Sequence, residues 1–169
     1  MEPKKMRFGC LAKKGVAEIR ERDLPELGDF DVLIKMKACN ICTTDYQQWL
    51  GLREHQGYPM AGGHEASGIV VKTGKKVTDF KEGDLVATGY EGCGSCSACR
   101  NGAVDQCVDL HKDTEDGYKW GFFGFSDYCV RSVRGIYKVD GSVDPSEAGF
   151  VEPLATVLHG TKKLRLEPF

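Results

Sequence analysis

Hydrophobic and polar residues alternate along 16–22 (VAEIRER) and 32–38 (VLIKMKA), the period of two that turns one face of a strand to a core and the other to water. The segments 67–74 (SGIVVKTG) and 84–89 (DLVATG) are richer in β-branched residues and carry glycine at an end, and Gly83-Asp84 is a turn signal before a strand. Two more strands are predicted over 127–132 and 135–139. Helical signals are fewer. The stretch 43–50 lacks glycine and proline and suits a short helix. Asp144, Pro145 and Glu147 offer a cap, a first-turn proline and a capping-box carboxylate, so a helix is predicted to begin there. Pro153 is expected to interrupt it, with 154–164 (LATVLHGTKKL) continuing as a second helix. Residues 92–107 hold small, polar and glycine residues with no apolar run, and 109–126 reads as a loop mixing charges with Trp120, Phe122, Phe123 and Phe125.

Composition narrows the class. A 169-residue chain can bury a proper core, and 41% hydrophobic with 28% charged residues is a globular balance. The net charge of −2 gives no electrostatic reason to expect nucleic acid or an anionic membrane as partner. Residues 1–12 do not read as a basic-then-apolar leader, and no apolar run approaches the roughly 18 residues of a membrane span. A cytoplasmic location is the expectation. The 21 glycines are spread along the chain, as tight barrel turns require.

Cysteine chemistry changes the picture most. Of eight cysteines, Cys93, Cys96, Cys99 and Cys107 are clustered in one loop. Reduced clustered thiols in a cytoplasmic chain read as metal ligands rather than disulfides. The spacing Cys-x2-Cys-x2-Cys-x7-Cys supplies four thiolates, a closed tetrahedral set for zinc at about 2.3 Å with no position left for substrate. Such a zinc is structural, replacing the core this lobe lacks. An iron–sulfur cluster is the main competitor, but the Cys-x3-Cys-Pro that usually follows in ferredoxins is missing.

Cys42 (in Ala-Cys-Asn-Ile-Cys-Thr-Thr-Asp, 38–45) and His64 (in Gly-Gly-His-Glu, 62–65) are each unremarkable alone: a buried small hydrophobe and a satisfied histidine are the ordinary readings. Their neighbours raise the odds of a second metal site. Asp45 could orient a ligand histidine from behind, Glu65 follows His64 directly, and Glu152 is a further carboxylate in an apolar stretch.

These motifs together resemble the medium-chain, zinc-dependent alcohol and polyol dehydrogenases. Gly63-His64-Glu65-x2-Gly68-x5-Gly74-x2-Val77 fits that family's zinc signature at every fixed position. Cys42-Thr43-Thr44-Asp45, Gly83-Asp84-x-Val86, the four-cysteine lobe and Gly124-Phe125-Ser126-Asp127-Tyr128 follow in the family's order, and Glu152-Pro153-Leu154-Ala155 looks like the sorbitol and threonine dehydrogenase branch.

The resemblance implies a mainly β, GroES-like fold: a partly open β-barrel over 1–150, with a structural zinc lobe at 90–110 and a C-terminal helical segment. Residues 151–169 would begin the helix that links to a nucleotide-binding domain, for which no Gly-x-Gly-x-x-Gly turn exists in the 169 residues. It implies two zinc ions, one structural and one catalytic, the latter held by Cys42 and His64 with Glu65 or Glu152 as third ligand. It also implies NAD or NADP in the full-length protein, a small alcohol or polyol substrate, and self-association of the full-length protein. Thr44 matches the hydroxyl that starts the family's proton relay, while Tyr46, Trp49 and the aromatics of 120–125 are expected pocket walls, with ordinary packing as the alternative. Two positions depart from the pattern: Asn40 replaces a frequent glycine, and Gln47 stands where many members place the relay histidine, which glutamine cannot replace as a proton carrier. The expectation is an NAD(P)-dependent oxidation of a secondary alcohol by the intact enzyme, with little turnover by these residues alone. The rival is a zinc-stabilised binding or assembly module. A zinc-free quinone reductase is disfavoured by both cysteine sets.

Overall fold

The computed structural model describes residues 3–110 and 113–164. The end of the predicted linker (165–169), residues 1–2, and 111–112 of the aromatic loop lie outside the described residues. The fold is mainly β. Strands β3 (Asp31–Asn40), β4 (Glu65–Thr73), β5 (Leu85–Thr88), β6 (Tyr128–Ser132) and β7 (Ile136–Lys138) form one antiparallel sheet in the order β6-β3-β4-β5-β7. Strands β1 (Lys5–Lys13) and β2 (Val16–Asp23) make a hairpin beside it. Isolated bridges from Phe8 to Ser126 and from Leu11 to Met60 fasten the hairpin to the rest, so the expected barrel stays open among the described residues.

The six predicted strands are all present with boundaries within a residue or two. Strand β1 was not singled out from sequence, although Met6, Phe8 and Cys10 alternate inward and are almost fully buried. These three pack with Ala61, Phe123 and Cys129 in one core cluster, while Val32, Ile34, Val70, Val86 and Ile136 build a second between the sheet's faces and loops. Burial of such aliphatic side chains, each contributing roughly 1.5–3 kcal/mol, is what holds the strands in register.

Glycine explains part of the sequence signature. At Gly74, a Cβ would lie 2.1 Å from the Gly28 carbonyl oxygen, so the β4 exit and the loop before β3 touch backbone to backbone. The carbonyl of Asp31 receives the Gly74 N–H there at 2.8 Å.

Helix α1 (Thr43–Leu50) ends on Gly51 in the left-handed region (φ 80°). The four-cysteine lobe holds only the single turn α2 (Ser97–Arg100) and one short 3-10 turn. At the predicted Asp144 start, the carboxylate accepts from Ser146 N–H at 2.8 Å and opens α3 (Pro145–Ala148). The expected break at Pro153 is corrected: the chain breaks at Gly149-Phe150, and α4 runs Val151–Leu164 straight through the proline. Pro153 falls in the first turn, where its missing N–H has no intrahelical acceptor to lose. Helix α4 has no buried residue, and Leu154, Val157 and Leu158 are each more than half exposed.

Candidate functional site

The ladder between β3 and β4 brings the second site together. Its register pairs Asn40 with Glu65 and Cys39 with Ala66, so the residues just beyond the end of β3 face those just before β4. Cys42, His64 and Glu65 consequently offer ligand atoms all within 4.8 Å of one another. A thiolate, an imidazole and a carboxylate converging at that distance are a borderline-soft donor set that zinc fits, with room for a fourth ligand. Glu152 does not join the three at that distance. It stands near enough that burial pushes its carboxyl up while His64 draws it down and Glu65 adds to the rise.

Local structure holds each ligand in place. Cys42 is the residue before α1, and its backbone N–H donates to Asp45 Oδ2 at 3.0 Å. Thr44 Oγ1 lies 3.6 Å from Cys42 Sγ. Asp45 is 6% exposed; burial raises its pKa against the opposing pull of His64 and the N–H groups of Cys42 and Gly63. His64 follows Gly63, which adopts φ 86°, and a Cβ at Gly63 would meet Phe125 N at 2.6 Å. Only glycine allows that approach, and it turns the imidazole towards Cys42. The Asn40 departure also has a cause: its amide donates to the Ser146 carbonyl at 3.3 Å, tying the end of β3 to α3. Gly149, at the α3–α4 junction, rests on the Glu65 carbonyl, where a Cβ would lie 2.8 Å away.

The four lobe thiols also converge within 4.8 Å. Backbone N–H groups already point at them: Cys96 N–H donates to Cys93 Sγ at 3.3 Å, Cys99 N–H to Cys96 Sγ at 3.4 Å, and Cys93 N–H to Cys107 Sγ at 3.3 Å. Such donors favour thiolate over thiol. The Ser95 hydroxyl, 3.4 Å from Cys93 Sγ, leads in drawing that thiol down to about 6. Four converging thiols in a loop with almost no core fit a closed tetrahedral metal. None of the eight cysteines is in a disulfide.

The expected pocket walls divide. Tyr46 and Trp49 stack on each other (centroids 5.9 Å apart) and line a separate apolar recess of 310 Å³ with Leu11, Met60 and Phe125. Phe123 belongs to the core against Phe8. Phe122 instead lies 5.8 Å from the His64 ring, with Trp120 and Tyr90 at 5.7 and 5.5 Å from it. Gln47 accepts from Arg53 Nε at 2.7 Å. Tyr90, missed in the sequence, lies near enough to feel the charges of Glu152, Cys42, Asp45 and Glu65; no local pattern marks it.

A cleft of 780 Å³ opens between the β5 end, the lobe and α4, lined by Thr88, Tyr90, Asp105, Glu152 and His159 among others. Two convergent sets of side chains able to hold a metal ion characterise the domain. The chain belongs to the alcohol dehydrogenase GroES-like domain family, whose family model matches residues 28–141.

It is similar to L-galactonate-5-dehydrogenase of Escherichia coli K12, 34% identical over 155 residues covering 88% of this chain and 43% of the relative. L-threonine 3-dehydrogenase of Bacillus velezensis is 35% identical over 152 residues, covering 85% of this chain and 41% of that protein. Among solved structures, a cinnamyl alcohol dehydrogenase of Sorghum bicolor aligns with TM-score 0.83 and 29% identity over 95% of this chain and 48% of that one. The Escherichia coli CFT073 short chain alcohol dehydrogenase rspB, complexed with NADH, aligns with TM-score 0.79 and 27% identity over 95% and 46%. The chain thus spans less than half the length of the curated relatives it matches. No described helix is long and apolar enough to cross a membrane.

Proposed function

We propose that this chain is the zinc-binding catalytic domain of an NAD(P)-dependent alcohol or polyol dehydrogenase. The observation that carries the reading is the convergence of Cys42, His64 and Glu65 within 4.8 Å of one another. A purely structural module has no use for an open three-ligand set beside its closed four-thiol one. Zinc bound there would supply Lewis acidity, stabilising the negative charge on a substrate oxygen as hydride leaves for nicotinamide.

The chain's own residues serve that chemistry. Cys42, His64 and Glu65 bind, with Glu152 the alternative carboxylate across the cleft. Asp45 positions His64 and the Cys42 backbone. The Thr44 hydroxyl, beside Cys42, is the first stop for the substrate's proton. Gln47 cannot take it further, being neutral and tied to Arg53, so the proton leaves by another route. Phe122 and Tyr90 keep water from one side of the imidazole.

Residues 1–150 form the catalytic unit in this reading, and 151–169 begin the helix leading to a nucleotide-binding domain. The relatives' greater length and the NADH held by rspB support it. Full-length subunits would self-associate in a reducing, cytoplasmic setting that keeps eight cysteines as thiols. The test is metal analysis with variants. Two zinc ions per chain are expected, falling to one in Cys42→Ala, with the remaining ion lost in Cys99→Ala. A single ion in the parent chain, indifferent to Cys42→Ala, would overturn the reading. These 169 residues alone should oxidise alcohols negligibly.

A further inference from the structure

Strand β2 inverts the alternation its sequence predicts. Ile19, apolar and mid-strand, is 74% exposed, while Arg20 and Arg22 are half-buried. Across the hairpin Arg20 stands opposite Phe8 and Arg22 opposite Met6, both almost fully buried. Residues directly opposite in an antiparallel pair share a face, so two cations are turned towards the core. A departure of this kind from the binary pattern calls for a compensating contact.

The aromatic loop supplies it. The Arg22 guanidinium lies 4.7 Å over the Phe123 ring, and its Nε is 3.2 Å from Asp116 Oδ2. Arg20 sits 5.8 Å over the Tyr118 ring. Phe123 and Tyr118 both meet Phe8 edge-on, at 4.9 and 5.0 Å. The Arg22 side chain is only 20% exposed, and a cation–π contact gains strength as water is removed from it.

The same loop is laced to the segment that delivers His64. Lys119 N–H donates to the Pro59 carbonyl at 2.8 Å and Ala61 N–H to the Lys119 carbonyl at 3.1 Å. Phe122 N–H donates to the Ala61 carbonyl at 3.0 Å and Gly124 N–H to that of Gly62 at 3.1 Å. His64 follows two residues on, its ring 5.8 Å from that of Phe122. The loop holds this shape under strain, with Trp120 at φ 68° and Phe123 at φ 52°, conformations that bulky side chains rarely adopt. Such conformations persist only where the surroundings over-determine them. For Phe123 those surroundings include Phe8 and Arg22.

Accepting the metal-site reading above, we propose that Arg22 is a positioning residue for that site, acting from the hairpin through the aromatic loop. Its cation holds Phe123 in the left-handed turn, and the turn sets Phe122 against the imidazole. The imidazole is thereby kept facing Cys42 and Glu65. Asp116 holds the guanidinium in place over the ring. The hairpin is thus part of the metal site's support, although it supplies none of the three converging ligands.

The zinc-loaded chain is compared with Arg22→Gln, Arg22→Lys, Phe122→Leu and the Arg22→Gln/Phe122→Leu double variant. One readout is the NMR signals of the His64 ring, which the Phe122 ring current shifts and which His64→Gln identifies by their loss. The other is zinc affinity at the Cys42 site, by chelator competition. Arg22→Gln should move the His64 signals towards their Phe122→Leu positions. It should also weaken Cys42-site zinc about tenfold, the low end for outer partners of a ligand, and leave the lobe's zinc unchanged. Arg22→Lys keeps the cation and should recover most of both changes. The double variant should bind zinc no more weakly than Phe122→Leu alone. A merely structural role gives lower unfolding stability with the His64 signals and zinc affinity unmoved, or losses that multiply in the double variant. Either result overturns the proposal. If Arg22→Gln does not fold, Asp116→Asn loosens the same guanidinium from its more exposed partner, and unmoved His64 signals there overturn it equally. Absence of Cys42-dependent zinc overturns the metal-site reading instead. The His64 signals need no metal at Cys42, and they then still decide whether Arg22 sets Phe122 on the imidazole.

Discussion

Asp45 Oδ2 accepts the backbone N–H of Cys42 at 3.0 Å, so a carboxylate one turn into α1 fixes the residue that opens the helix and offers a thiolate. The same carboxylate feels the charge of His64. The carboxylate thus fixes the backbone of one ligand residue from behind, and partners of this kind are commonly worth 10–100-fold in metal affinity. Asp45→Asn keeps the shape and removes the charge. Zinc affinity at the Cys42 site should fall by about 10–100-fold, with the four-cysteine site unchanged, in a competition titration against a chromophoric chelator.

Gly63 and Gly124 meet backbone to backbone. A Cβ at Gly63 would lie 2.6 Å from Phe125 N and 3.0 Å from the Gly124 carbonyl carbon, on a residue already at φ 86°. Left-handed backbone costs an L residue about 1–2 kcal/mol, and overpacking typically 1–3 more. Gly63→Ala should lower unfolding free energy by about 2–4 kcal/mol in urea. It should also release the Cys42-site zinc first, because the displaced segment carries His64.

The parts of this molecule that were legible in the sequence are those encoded locally. Strand alternation, the Asp144-Pro145 start and the four-cysteine spacing each sit within a dozen or so residues, and each is found in place. Cys42 and His64 are joined by something the sequence does not spell out, the β3–β4 register that sets Asn40 opposite Glu65. Here the family signature stood in for geometry. The Tyr90–Phe122–His64 contacts come from three separate loops, and nothing in any of them announces the others. Pro153 misled because a proline interrupts a helix only past its first turn. The break falls four residues before Pro153, at Gly149, which must clear the Glu65 carbonyl. Tyr46 and Trp49 were legible as aromatic, not as facing a different recess.

Asp84 and Lys138 pair at 2.7 Å across β5 and β7, with the Asp84 side chain only 11% exposed. The Lys138 hydrogen bond, aided by the Lys81 N–H and against the cost of burial, holds the Asp84 carboxyl below its ordinary value of 3.8. A depressed folded-state pKa gives stability that is complete above the unfolded value and disappears as pH falls through the folded one. Asp84→Asn should therefore flatten the pH dependence of stability below about pH 4 and leave its slope from pH 5 to 8 unchanged. The difference between the acid-unfolding curves of the two proteins isolates the pair.

The lobe of residues 92–107 has α2, one 3-10 turn and only Gly92 and Cys107 buried, so its order depends on what the four thiols hold. Metal binding is folding free energy in such a segment, about 10–16 kcal/mol in zinc-finger peptides near neutral pH. The two core clusters draw on β1, β3, β4, β5, β6 and β7, and no lobe residue belongs to them. Removing the metal should therefore melt the lobe and spare the sheet. Excess chelator, or Cys99→Ser, is expected to open cleavage at Arg100 to trypsin and to collapse amide protection across 93–107. Protection in β3 and β4 should persist in the same hydrogen-exchange measurement. Loss of protection in the sheet together with the lobe would show that the zinc loop and the β-core unfold as one unit.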